Sequence, residues 1–223
     1  LDFEGTHARL LQRLQPLLFD DELHRDLTGF TGRRSVLAGI DEWLSGPAFS
    51  RVLWITGKPG TGKTTRAAYL TATRREIAAV HFCRHGIVEK TEARRAILSI
   101  AYQLSTQLND YRDRLNAVDL EHFTAGANAR SLFDRVIVQP LAGNFPNPGR
   151  TIAILVDALD EATTDGDNEF ASLIGSDFYR IPPWMRLIVT SRPEMAVTYR
   201  LQEFAPQAID DTGENQRDIV EYL

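Results

Sequence analysis

Residues 54–65 read WITGKPGTGKTT, and this stretch decides the fold. The apolar run RVLWIT (51–56) precedes a glycine-rich loop, and a helix-forming run follows from about Lys63 to Arg75. Residues 57–64 fit the pattern G-x-x-x-x-G-K-[ST], the spacing of a phosphate-binding loop. Glycines let the backbone turn its N–H groups toward a polyphosphate, and the next helix adds its positive N-terminus. The alternative is a glycine-rich linker or hairpin, but the strand before the loop and the helix after it favour the phosphate site.

The residue types of this loop suit a nucleotide and a magnesium ion. Lys63 supplies a mobile charge for the β and γ phosphates, the hydroxyl of Thr64 can ligate Mg²⁺, and Thr65 can bond the α phosphate. The expected cofactors are therefore ATP or ADP with Mg²⁺. The predicted nucleotide-binding residues of the loop are Gly57, Pro59, Gly60, Thr61, Gly62, Lys63, Thr64 and Thr65.

The composition limits the classes of protein to consider. The chain has 223 residues, 43% of them hydrophobic, and a formal net charge of −5, which fits a globular domain and argues against wholesale nucleic-acid binding. The single cysteine, Cys83, excludes an internal disulfide and indicates a reducing compartment. No apolar run is long enough to span a membrane. We expect a cytoplasmic protein, and the start at Leu1 rather than Met indicates part of a longer chain.

Strand-like and helix-like runs alternate along the chain, which predicts an α/β protein with a mostly parallel sheet. The run TIAILVD (151–157) is apolar without alternation, as expected of a strand buried on both faces. We expect a linker over 19–32 and irregular polar structure over 109–128. The five predicted strands are 51–56, 78–83, 151–157, 186–191 and 205–210.

The acidic stretch ILVDALDE (154–161) provides the carboxylates that such a site needs. Asp157 closes an apolar strand, so its carboxylate lies at the edge where ligands bind in open α/β sheets. We assign Asp157 to Mg²⁺, through water. Of the two acidic residues that follow, we favour Glu161 as the base that polarises an attacking water and Asp160 as a second acidic group near the metal. Alternatively, this pair caps the next helix.

A third apolar strand ends in the polar residues of LIVTSRPE (187–194). If this strand lies between the strand before the glycine loop (51–56) and the strand that ends at Asp157 (151–157), its tip faces the γ phosphate. Thr190 or Ser191 can then orient water, and Arg192 can bind the terminal phosphate with two parallel hydrogen bonds. The alternative is a turn before Pro193 with a solvated arginine.

Taken together, these motifs resemble the NACHT branch of the STAND NTPases, signalling proteins related to the AAA+ ATPases. The resemblance runs from about Leu27 to the end of the chain. Its LVDALDE segment matches the family's acidic motif, which is more specific than a generic acidic strand. The segments that carry the resemblance are GFTGRRSVLAGIDEWL (29–44), GKPGTGKTT (57–65), AVHFCRHG (79–86), ILSIAYQL (97–104), LVDALDE (155–161), PPWMRLIVTSRPE (182–194) and IDDTGENQRDIVEYL (209–223).

The resemblance implies a three-layer α/β/α P-loop NTPase fold with strand order 5-1-4-3-2. It divides the chain into an N-terminal helix and linker (1–29), a nucleotide-binding domain (30–211) and the start of a helical domain (212–223). It also implies that Phe30, Thr31 and Arg33 lie beside the adenine.

The function implied by the resemblance is a switch in innate-immune signalling. ADP holds a closed resting state, monomeric in the simplest case, and exchange for ATP drives homo-oligomerisation, with slow hydrolysis. The longer protein would add an N-terminal effector and a C-terminal sensor. Three alternatives stay open: a conventional P-loop ATPase or kinase, although no Arg-rich lid is evident; an AAA+ DNA-associated ATPase, which the net charge disfavours; and a scaffold that binds nucleotide without turnover.

Overall fold

A computed structural model describes residues 3–27, 34–46, 50–120 and 127–208. Its centre is one five-stranded sheet with the order β2-β3-β4-β1-β5. Every strand pair is parallel. Read from the other edge, this is the predicted order 5-1-4-3-2, and the predicted mostly parallel sheet is parallel throughout. The strands are β1 (Val52–Thr56), β2 (Ile77–Phe82), β3 (Ile152–Asp157), β4 (Met185–Ser191) and β5 (Pro206–Ala208).

Helices precede the sheet and connect its strands. A π-helix, Asp134–Val138, joins two of them, and 3-10 turns form at Leu159–Ala162 and Phe178–Arg180. The α-helices are α1 (Phe3–Leu14), α2 (Asp20–Leu27), α3 (Arg34–Ser45), α4 (Lys63–Thr73), α5 (Val88–Thr91), α6 (Ala93–Gln107), α7 (Asn109–Asn116), α8 (Ala129–Phe133), α9 (Gln139–Leu141), α10 (Glu169–Asp177) and α11 (Met195–Thr198). In the described ranges, no helix is both long enough and apolar enough to cross a bilayer.

Alternate residues of each inner strand enter two different cores, which makes the fold three-layered. Val52 and Trp54 of β1 pack into the core that contains α6. Leu53 and Ile55 of the same strand pack into the core that contains α3 and α4. Since successive strand side chains point to opposite faces, a strand covered on both faces must be apolar at every position. The prediction of buried parallel strands in a three-layer α/β/α fold is thereby confirmed.

The linker expected over 19–32 is wrong for its first part, because residues 20–27 form α2. This helix packs on α4. Phe19, directly before α2, is buried, and Leu23 packs beside it against the same core. Acidic residues in the first turn of α2 complement the positive end of its dipole. The acidic composition of this segment concealed the few apolar residues that anchor it. Residues 28–33 lie outside the described part of the chain.

The prediction of irregular structure over 109–128 is also wrong in part. Residues 109–116 form α7, in which Tyr111 and Leu115 lie one turn apart and are fully buried. The Tyr111 hydroxyl donates to the backbone oxygen of Val136 at 2.6 Å. Because α7 has only these two apolar anchors among charged residues, its helical period was too weak to recognise. Residues 121–126 are not described.

Candidate functional site

The glycine loop (residues 57–65) connects β1 to α4 at the carboxyl edge of the sheet. At its start the loop is hydrogen-bonded to the neighbouring strand β4, since the backbone N–H of Gly57 donates to the backbone oxygen of Ser191 at 3.3 Å. Gly60 and Gly62 adopt φ values of 79° and 75°, a left-handed conformation that costs glycine little and other residues much more. The second of these turns places Lys63 as the first residue of α4. Gly62, a fixed position of the motif, and Gly60, a variable one, therefore each have a backbone reason to be glycine.

The Lys63 ammonium is held by the loop's own backbone. Its Nζ donates to the oxygens of Gly57 and Lys58 at 2.6 and 3.0 Å. Burial lowers the pKa of Lys63, and the nearby carboxylates of Asp160 and Asp157 act in the opposite direction. Because its hydrogen-bond partners here are neutral carbonyls, an anion that enters the loop gains a charge-assisted bond by displacing them.

Asp157 ends β3 and is almost fully buried, with 1% of its surface exposed. One carboxylate oxygen accepts a hydrogen bond from Thr190 Oγ1 at 2.5 Å, and the Thr64 side chain hydrogen-bonds to the same carboxyl group. Burial raises the pKa of Asp157 to about 6, although these two hydroxyls and the charge of Lys63 lower it. A buried carboxylate held mainly by hydroxyls is a group that a cation would stabilise strongly.

The turn after β3 presents two more carboxylates to Arg192. Asp160 is buried; its Oδ1 accepts from the backbone N–H of Arg192 at 2.8 Å, and its Oδ2 lies 3.4 Å from Arg192 Nε. Glu161 Oε1 lies 3.6 Å from Arg192 Nη2, and Glu161 Oε2 accepts from the backbone N–H of His85 at 3.1 Å. The Glu161 side chain is 30% exposed, against 3% for that of Asp160. Of the two, Glu161 is therefore the carboxylate that solvent reaches.

Two clefts open at this edge of the sheet. The loop cleft encloses about 350 Å³ and is lined by Pro59–Thr65, Ala158, Asp160, Glu161 and Arg192. A second cleft, here called the α2 cleft, encloses about 370 Å³ and includes Asp157. Both volumes lie within the range of small-molecule sites. The structure thus brings together the predicted residues of the loop, the acidic turn and Arg192. The predicted adenine contacts Phe30, Thr31 and Arg33 lie outside the described residues.

The donor set fits a polyphosphate and a hard divalent cation. The loop offers backbone N–H groups, the Lys63 ammonium and the N-terminus of α4 to an anion. Opposite it, Thr64 and Asp157 offer a hydroxyl and a carboxylate oxygen, which are ligands that Mg²⁺ prefers. Within the described ranges no lysine or arginine forms an ion pair with Asp157, and burial raises the pKa of its carboxyl group.

The hydroxyls at the tip of β4, for which the sequence suggested a water-orienting role, form hydrogen bonds within the protein. Thr190 Oγ1 donates to Asp157 and accepts from the backbone N–H of Ala158 at 3.0 Å. Ser191 is fully buried, and its Oγ accepts from Trp54 Nε1 at 2.9 Å. Ala158 has a left-handed φ of 54°, and the Thr190 bond holds it there. Thr190 is therefore a positioning residue for Asp157 and for the turn that carries the two other carboxylates.

Sequence reasoning missed the wall of the α2 cleft. Glu22 forms an ion pair with Lys90 of α5, and Lys90 also lies over the Phe19 ring. His81 is buried beneath, where its Nε2 bonds the Lys90 oxygen at 3.2 Å. Glu22 and Lys90 are separated by 68 positions in sequence, so no local pattern pairs them. The acidic residues in the first turn of α2 were the feature of the sequence that could have indicated this wall.

The fold and the site define a three-layer α/β/α protein with a parallel sheet, a glycine loop after β1 and a cluster of carboxylates at the tip of β3. The family described as "Nephrocystin 3, N-terminal" matches residues 37–192. This match covers more than half of the chain, and the chain belongs to that family. The matched range includes β1 to β4, the glycine loop, Asp157 and Arg192.

Proposed function

We propose that this chain is the nucleotide-binding core of an ATP/ADP-dependent signalling switch of the NACHT type, within the STAND class. One observation carries the proposal: the glycine loop, the buried Asp157 and the Asp160–Glu161–Arg192 cluster meet at one edge of the sheet. A phosphate-binding loop opposite carboxylates for Mg²⁺ and for water is the combination that nucleotide hydrolysis requires.

Each residue has a role in this proposal. The backbone N–H groups of the glycine loop, which Pro59 lacks, and the Lys63 ammonium bind the β and γ phosphates. Thr64 and Asp157 hold Mg²⁺, Asp157 through water, and the ion supplies neutralisation of the phosphate charge. Glu161 is the solvent-accessible carboxylate and accepts a proton from the attacking water. Asp160 positions Arg192, whose guanidinium reaches the terminal phosphate.

The same contacts favour a slow enzyme. Arg192 lies within 3.6 Å of Glu161, and the His85 N–H occupies the other oxygen of that carboxylate. A base whose oxygens are engaged must be released before it can accept a proton. An arginine supplied by a neighbouring molecule accelerates related NTPases by about 10³ to 10⁵. We therefore expect hydrolysis by the isolated chain to be slow, and oligomerisation of the longer protein to govern its rate.

In the cell, the proposed cycle has two states. ADP holds a resting monomer in the cytoplasm, and exchange for ATP drives homo-oligomerisation that clusters an effector domain of the same longer protein. A sensor domain would control that exchange, and Phe30, Thr31 and Arg33 would contact the adenine. Innate-immune signalling is the output proposed for this machine.

A second candidate function is a scaffold that binds nucleotide without turning it over. The observation that favours it is that Arg192 pairs with both Asp160 and Glu161, which leaves neither carboxylate fully available as a base. The rate of ATP turnover separates the two candidates.

The experiment is to identify the nucleotide that copurifies with the full-length protein and to measure its turnover. Acid extraction followed by ion-exchange chromatography should yield ADP near one equivalent per chain. ATP added after exchange should turn over slowly, and faster in the oligomer than in the monomer. An empty site together with rapid hydrolysis by the monomer would contradict the switch and favour a conventional ATPase.

A further inference from the structure

The α2 cleft is a second compartment of the candidate site. It shares Thr64, Ala158 and Glu161 with the loop cleft, so the two spaces meet at the cation-binding end. One wall comes from α2, through Glu22, Arg25 and Asp26. A phosphate held by the glycine loop beside Thr64 would border this second compartment.

Most of the basic side chains around the two clefts already have carboxylate partners. Lys90 pairs with Glu22, and both side chains are mostly buried. Arg25 lies 3.4 Å from Asp26, and Arg192 contacts Asp160, Glu161 and Glu194. For any of these cations, binding a new anion means weakening an existing ion pair.

Arg84 differs from them. It lines the α2 cleft and is exposed, and within the described ranges no carboxylate forms an ion pair with it. A guanidinium without an ion pair can bind phosphate without first losing a charged partner. Its planar fork of donors matches two phosphate oxygens at once.

The backbone places Arg84 at the same edge of the sheet as Asp157. In the β2–β3 pairing Phe82 lies opposite Asp157, and the backbone N–H of Cys83 donates to the backbone carbonyl oxygen of Asp157 at 3.0 Å. Arg84 follows directly, before the left-handed turn at Gly86. The hydrogen bond from Cys83 thus fixes the backbone next to Arg84 relative to the cation site.

We propose that Arg84 binds the terminal phosphate of a nucleoside triphosphate from the β2 side, opposite Lys63. This inference rests on the proposed function, since it needs a nucleotide in the glycine loop. It places the γ phosphate at the end of the α2 cleft that meets the loop cleft, so that Lys63 and Arg192 reach it from the loop cleft. Arg84 then recognises the triphosphate specifically, because a diphosphate has no group that extends into that compartment.

The test measures binding of two ligands to the full chain by titration calorimetry with Mg²⁺: ADP, and the β,γ-imido analogue of ATP. Arg84→Ala should weaken the analogue about tenfold or more, since a hydrogen bond to a charged group is worth that much. It should change ADP affinity less than about twofold. Arg84→Lys should be intermediate, because lysine keeps the charge and loses the fork.

A matched control lies at the opposite end of the same strand. Arg75 precedes β2 and its side chain is 86% exposed, so Arg75→Ala should bind both ligands as the wild type does. Equal losses for ADP and the analogue, or no loss for either, would overturn the inference while the proposed function stands. If the wild type binds neither ligand, the proposed function fails, and the inference falls with it.

Discussion

The two edges of the sheet both carry arginines, but their partners differ. At the amino edge, Arg51 donates to three backbone oxygens of residues 179–182, at 2.9, 3.0 and 3.0 Å. At the carboxyl edge, Arg192 faces the carboxylates of Asp160 and Glu161 across an open cleft. At the amino edge, the arginine therefore holds the backbone of residues 179–182 in place and stabilises the fold. At the carboxyl edge the charged groups hold one another in place and remain accessible to a ligand.

The carboxyl edge also contains a group that opposes folding. Burial raises the pKa of Asp157 from 3.8 to about 6, so keeping this carboxylate ionised at neutral pH destabilises the folded state. Natural proteins commonly retain such strain where function needs it. The comparison predicts that substitutions at the amino edge lower stability and leave nucleotide binding unchanged. Substitutions at the carboxyl edge should change nucleotide binding or hydrolysis, and they can raise stability.

The largest expected effect concerns Glu161. Glu161→Gln removes the proposed base and should slow single-turnover ATP hydrolysis by about a hundredfold or more, with nucleotide affinity nearly unchanged. Glu194→Gln is the matched control, because Glu194 also lies near Arg192, at 3.8 Å, and its side chain is 46% exposed. If Glu161→Gln hydrolyses ATP at the rate of the wild type, Glu161 is not the base.

The next effect tests the amino edge. Arg51→Ala leaves three backbone oxygens without their charged donor and should lower the free energy of unfolding by about 3 kcal/mol, as measured in urea. Nucleotide affinity should not change. Arg75→Ala, at the same edge, removes an exposed side chain and should stay within about 0.5 kcal/mol of the wild type. If Arg51→Ala loses as much binding free energy for the nucleotide as it loses free energy of unfolding, the distinction between the two edges does not hold.

A smaller effect, of opposite sign, is expected at Asp157. Asp157→Asn removes the cost of a buried charge and should raise the free energy of unfolding of the nucleotide-free protein by about 2 kcal/mol at pH 8. The same substitution should weaken binding of Mg²⁺ with nucleotide. If Asp157→Asn is less stable than the wild type both without nucleotide and with Mg²⁺ and nucleotide, Asp157 supports the fold instead of opposing it.

The pH dependence of stability tests independently whether the ionised Asp157 carboxylate destabilises the folded state. The folded-state pKa of Asp157, about 6, lies above its ordinary value of 3.8. A raised folded pKa contributes stability that is fully present below pH 3.8 and is lost as the pH rises through 6. Urea titrations of the wild type between pH 4 and pH 7 should contain this loss, and those of Asp157→Asn should lack it. Identical profiles for the two proteins would contradict the assignment.

The sequence predicted the parts of this site that depend on local spacing. The glycine loop needs glycine at positions 60 and 62 because of their left-handed backbone, and Asp157 ends an apolar run that is typical of a strand buried on both faces. The α2 wall was not predictable in this way, since the pairing of Glu22 with Lys90 joins distant segments. The hydrogen bond from Thr190 to Asp157 was not predictable for the same reason, because the two residues belong to different strands.

The most direct test of the central claim, that the glycine loop binds nucleotide, is ligand-induced stabilisation. With ADP and Mg²⁺ at a hundredfold above the wild-type Kd, the free energy of unfolding of the wild type should rise by about 2.7 kcal/mol. Lys58→Ala, which changes the exposed lysine of the same loop, should keep this gain, and Lys63→Ala should abolish it. Equal stabilisation of Lys63→Ala and the wild type, or none in the wild type, would contradict the claim.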